Sequence, residues 1–156
     1  MPYIPLALLT EVGACEHALV KYKGKTPLEI LPELIEMDWL FWYIGACCHR
    51  NNKHIDGIIF ACRCVQAVIH FNYFVESVLF FAENDLEMNF NITSEMASTF
   101  DACLLLWDLQ SLAVYSRDDI YNFSWLYSQV GRRLKQLGVS IESVKKMAID
   151  YFEVAL

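Results

Sequence analysis

The sequence predicts an all-α protein, a compact single-domain bundle of six to eight helices, and three observations carry that expectation. Apolar residues recur with the helical period along nearly the whole chain, while strand-type alternation is almost absent. Helix start and stop signals punctuate the pattern at intervals, with no internal repeat and no long linker. The stretch Asp38-Trp39-Leu40-Phe41-Trp42-Tyr43-Ile44-Gly45-Ala46-Cys47-Cys48 is apolar on every side of a helical cylinder, so it must lie inside a bundle. At 156 residues and 56% hydrophobic content the chain can build one real core.

The elements follow in order. A first helix runs from near Thr10 to Tyr22 and is closed by Lys23-Gly24-Lys25, glycine being the usual left-handed terminator. Thr26-Pro27-Leu28-Glu29 is a helix-start signature with a cap, a first-turn proline and a glutamate that can reach back to the cap amide. Pro32 ends or resets this short helix. Asp38 is expected to cap the third helix, which runs to Cys48 or His49, with Met37 before it packing on Trp42. Asn51-Asn52-Lys53 is a polar turn. A long helix from His54 or Ile55 to Phe71 follows, with a continuation to Phe81 broken near Asn72. Residues 83–91 read as an acidic loop. Thr93 or Ser94 caps a helix to Tyr115, with Met96, Phe100, Cys103, Leu104, Trp107 and Ala113 or Val114 toward the core and Asp101 and Asp108 opposite. Asp118 caps the next helix, to Leu137, whose core stripe is Ile120, Phe123, Tyr127, Val130 and Leu134 and whose terminator is Gly138. Ser140 caps the last, burying Ile141, Val144, Ala148, Tyr151 and Phe152.

Charge and cysteine content narrow the function classes. Net charge is −7, with 19 acidic against 12 basic residues, which opposes direct nucleic-acid binding through phosphates. It suits a basic protein partner or nucleic-acid mimicry. The N-terminal residues lack a basic region followed by an apolar run, so no secretory signal is read there. The six cysteines lie mostly in apolar helical runs, where a free thiol behaves as a small hydrophobe. A reduced, cytoplasmic protein is therefore expected. The apolar tract from Ile58 to Ala82 is interrupted by Arg63, Gln66, His70, Asn72 and Glu76, which argues against a membrane span.

No catalytic or metal signature stands out. Cys62 and Cys64 project from one helix about 200° apart, a poor grip on a single ion, so neither a metal nor a cofactor is expected. Cys15 and His17 point apart on their helix. The chain has no G-x-S-x-G, and its six glycines are too widely spaced for a phosphate-binding loop. Asp101 and Asp108 share a helix face and could in principle serve acid–base chemistry, but a solvated face is the simpler reading. The expectation is a protein that is not an enzyme.

Two features remain as candidate sites. Arg63, Gln66 and His70 form a polar line, with Asp56 and Ser77, on a mostly apolar helix. Buried polar groups need partners, so this line either pairs with Asp101 or Asp108 across helices, faces water, or lines a ligand-binding groove. Tyr121, Trp125 and Arg132 lie on the side of their helix away from its core stripe. Aromatic residues with arginine are the composition of interface hot spots, and a second packing surface inside the bundle is the alternative.

Gly13-Ala14-Cys15-Glu16-His17-Ala18-Leu19 and Asp38-Trp39-Leu40-Phe41-Trp42 resemble a group of small helical proteins, often phage- or prophage-borne, labelled immunity proteins. Their pattern is a Gly/Ala-Cys near the start of a first helix, then an Asp-Trp-Leu-x-Trp helix. The resemblance covers the first half of the chain; the second half matches in helical character, with aromatics where the group has alanine. It implies a non-enzymatic binding role and carries over no functional residue.

The expected function is thus non-catalytic protein–protein interaction, as an immunity protein or a phage anti-defence inhibitor such as an anti-CRISPR. The alternative is a small-molecule sponge or sensor with a cavity lined by Arg63, Gln66, His70, Asp101 and Asp108. Homodimerisation is a further way to cover so much apolar surface.

Overall fold

The computed structural model describes residues 16–22, 24–25, 27–50, 52–68, 76–78, 80, 100–115 and 120–155. The protein is all-α: every regular element among these residues is helical. In chain order they are α1 (Glu16–Tyr22), α2 (Pro27–Ile30), a 3-10 turn (Leu31–Glu33), α3 (Met37–Arg50), α4 (His54–Gln66), α5 (Phe100–Tyr115), α6 (Ile120–Gln136) and α7 (Ile141–Ala155).

Several local signals act as the sequence predicts. Gly24 and Gly138 have φ of +82° and +87°. At Gly138 the end of α6 is a full Schellman closure: the Val139 amide donates to the Leu134 carbonyl at 3.0 Å and the Gly138 amide to that of Lys135 at 3.0 Å. The Ser140 hydroxyl accepts from the Glu142 amide at 3.2 Å and caps α7. Pro32 sits in the 3-10 turn that resets the chain after α2. The turn before α4 contains Asn52 at φ +55°.

Three expectations are corrected. Helix α3 begins one residue earlier than Asp38, with the Leu40 amide bonded to the Glu36 carbonyl. Asp38 therefore lies in the first turn, its carboxylate accepting from the Trp39 amide at 3.0 Å, where it still complements the positive helix end. Met37 is accordingly inside the helix, and buried. Helix α4 closes at Gln66 rather than Phe71, in a tightened turn at Ala67 and Val68. On α5 the buried side is Ala102, Leu105, Leu106, Leu109, Gln110 and Leu112, whereas Cys103 and Leu104 are only half-buried and Trp107 is 49% exposed. The helix is apolar nearly all round, so periodicity alone could not choose its face. The expected caps Thr26, Thr93, Ser94 and Asp118 and the loop 83–91 lie outside the described residues.

Helices α3 and α6 form the central pair, α5 packs on α6, and α4 packs on α3. Phe41 meets Gly131 and Tyr127 meets Gly45, so α3 and α6 run antiparallel with an aromatic residue of each lodged over a glycine of the other. The two rings touch, with centroids 5.5 Å apart. The Tyr127 hydroxyl donates to the Gly57 carbonyl, which ties α4 to the same point. Burial of Phe123, Tyr127, Val130 and Leu134 on one side of α6 follows from this and leaves its other side to solvent.

Candidate protein-binding surface on α6

The outward side of α6 is built by the same register that buries its inward side. Phe123, Tyr127, Val130 and Leu134 are fully buried. Residues seven apart return to nearly the same angular position on a helix, so Trp125 and Arg132 fall on one line about 10.5 Å apart along the axis. Trp125 is 52% exposed, and Arg132 is exposed. Asn122 and Gln136 are also exposed on this side, with Ser128 and Gln129 half-buried. The Ser128 hydroxyl donates to the Trp125 carbonyl at 2.6 Å, within the helix turn that carries the indole. Tyr121 lies on α6 four residues before Trp125, but its side chain is outside the described residues.

The edges of this surface are set by ion pairs. The Arg133 guanidinium donates to the Asp108 carboxylate at 3.3 Å and to the Gln136 side-chain carbonyl at 3.2 Å, joining α6 to α5. Burial pushes the Asp108 carboxyl up, and the hydrogen bond and charge of Arg133 act against that shift. Lys135 approaches Glu36 at 3.5 Å; both are more than half exposed, so the pair contributes little.

The polar line on α4 is not assembled into a site by the described residues. Asp108 pairs with Arg133 and not with Arg63, which is exposed. Gln66 is half-buried at the end of α4. His70 and the Asp101 side chain lie outside the described residues. One groove, of about 360 Å³, is lined by Pro32, Glu142, Lys145, Lys146, Ile149 and Asp150, and by none of the five residues proposed for a ligand cavity.

The cysteine positions define a closed interior. Cys47, Cys48, Cys62 and Cys64 are buried thiols outside any disulfide, and Cys103 is a half-buried one. Burial pushes the thiols of Cys47 and Cys64 up to about 12 and those of Cys48 and Cys62 upward as well. Thiols so disposed are poor nucleophiles and poor metal ligands. No group of three or more metal-ligating side chains occurs among the described residues, and none of their helices is long and apolar enough to cross a membrane.

Sequence reasoning missed Lys145. It is buried, its ammonium donating to the Pro32 carbonyl at 3.1 Å, with Glu142 3.9 Å away. Its place in the helix pattern beside Lys146 reads as surface, and only the tertiary fold brings the 3-10 turn over it. The exposed indoles of Trp107 and Trp39 were missed as well, both having been read as core. No family model, no curated protein and no solved structure matches this chain.

Proposed function

We propose that this protein acts by non-catalytic protein–protein interaction, binding its partner through the α6 face that carries Tyr121, Trp125 and Arg132. The observation that carries the reading is the exposed indole of Trp125 on a helix whose opposite side is locked into the core. A large aromatic held in water on a rigid helix gains free energy when a partner covers it, and it loses little conformational entropy in doing so. The role would be that of an immunity protein or a phage anti-defence inhibitor such as an anti-CRISPR. Two things support this: the resemblance of the first half of the chain and the small acidic helical body. A cytoplasmic setting accords with buried cysteines that form no disulfide.

The test is affinity capture from native host lysate with the wild-type chain and with Trp125→Ala and Tyr121→Ala. The reading expects a partner held by the wild type and released by the variants, with their thermal unfolding unchanged. Equal retention by both variants removes this face from consideration.

A further inference from the structure

We infer that the α6 face receives an acidic segment of the partner, with Arg132 pairing to a carboxylate while the Trp125 ring, two turns away, packs on an apolar side chain of the same segment. This rests on the reading of the face as a binding surface and adds the chemistry of what binds.

Helix α6 holds three of the chain's 12 basic residues and none of its 19 acidic ones. All three cations lie near its C-terminal end, on an otherwise acidic protein. Two of the three cations are already matched within the fold, Arg133 by Asp108 and Lys135 by Glu36. Arg132 has no hydrogen-bond or ion-pair partner among the described residues, and it is exposed on the line of Trp125. A guanidinium presents a planar fork of donors that fits a carboxylate with two parallel hydrogen bonds. The exposed indole two turns away on the same line gives the segment an apolar surface to cover beyond the ion pair.

A phosphate would also satisfy the guanidinium. A nucleic-acid strand, however, carries a charge at every residue and binds through a row of cations. Among the described residues Arg132 is the one cation of α6 left unmatched, on an acidic protein that repels a polyanion. A protein segment needs one carboxylate at one place, and the surface offers one partner for it. The net charge of the whole chain points to a basic partner; the local charge of α6 points the other way, and local charge decides a contact at hydrogen-bond range.

The test titrates the full chain with a fluorescein-labelled peptide of alternating glutamate and leucine, and separately with a single-stranded DNA of equal charge. The expected result is binding of the peptide in preference to the DNA. Arg132→Glu should weaken it about tenfold or more, and Arg132→Lys less, because lysine keeps the charge and loses the fork. Preference for the DNA, no peptide binding, or unchanged binding by Arg132→Glu overturns the inference. A photo-crosslinker at Gln129, used in native host lysate, separates the two levels. A crosslinked partner segment rich in Asp or Glu supports the inference. A crosslinked segment without carboxylates overturns it and leaves the binding face standing, and the absence of any crosslinked protein overturns both.

Discussion

The ring of Phe41 occupies the space that a side chain at Gly131 would need: a Cβ there would lie 2.6 Å from Cδ2 and 2.7 Å from Cβ of Phe41. The reciprocal contact sets Tyr127 over Gly45, where an added Cβ would lie 2.8 Å from the Tyr127 Cβ. Both obstructions involve the root of a side chain and not its flexible end. Close approach of α3 and α6 therefore depends on two hydrogen atoms where other residues have carbon.

Gly131→Ala and Gly45→Ala should each destabilise the fold. Alanine gains about 1 kcal/mol in helix propensity over glycine. Overpacking against a rigid neighbour costs ~1–3 kcal/mol and forces the helices apart, so the cost should win. Urea unfolding would register this as a lower midpoint. The loss in a Gly131→Ala/Phe41→Ala double variant should be smaller than the sum of the two single losses, since alanine at position 41 removes the Cγ and Cδ2 atoms that the new methyl group meets.

Tyr127 should show two separable contributions. Tyr127→Phe removes the hydrogen bond to the Gly57 carbonyl and keeps the ring, at about 1 kcal/mol. Tyr127→Ala also removes the ring from between α3, α4 and α6 and should cost ~3–5 kcal/mol. Equal losses for the two variants in thermal or urea unfolding would show that the ring is not the joint described here.

The Asp108 carboxyl should titrate above the ordinary aspartate value of 3.8, because burial outweighs the help of Arg133. The sign for stability follows. Between 3.8 and the raised value the folded chain binds more protons at this group than the unfolded chain does, so its contribution falls as pH rises through that window. Carbon-13 NMR of the carboxyl gives the midpoint directly. Arg133→Met should move it further up; a midpoint below 3.8 in the wild type would contradict the arrangement.

Thiol chemistry should distinguish the interior from its edge. Cys47, Cys48, Cys62 and Cys64 are buried with raised pKa values and should resist alkylation in the folded protein at mildly alkaline pH. Cys103, half-buried, should be modified ahead of these four. Peptide mapping after a timed iodoacetamide pulse reads the order, and early labelling of Cys62 or Cys64 would mean that α4 does not pack as described.

Much of the helical framework was legible because its signals are local. Gly138 closes α6, Ser140 caps α7, and the α6 stripe from Phe123 to Leu134 is buried as its period requires. Face selection on α5 was not legible. Leu104, Leu105, Leu106 and Trp107 run consecutively, so both sides qualify as core, and packing on α6 makes the choice. The choice of partner for Asp108 was hidden for a related reason: Arg63 and Arg133 are equally cationic in sequence, and only the crossing of α5 and α6 selects Arg133. The Phe41–Gly131 and Tyr127–Gly45 contacts left no local signal, because a glycine inside a helix is silent about what rests on it. The exposed line of Trp125 and Arg132 was legible as the complement of a correctly placed stripe.

The binding role proposed for α6 is tested most directly by calorimetric titration of the captured partner with wild-type protein and with Trp125→Ala, both shown to unfold at the same temperature. An indole at the centre of the interface predicts a loss of about 2 kcal/mol or more, roughly thirtyfold in Kd. A Kd within about twofold of wild type, where central hot-spot truncation is expected to cost far more, would place the partner on another surface and contradict the account.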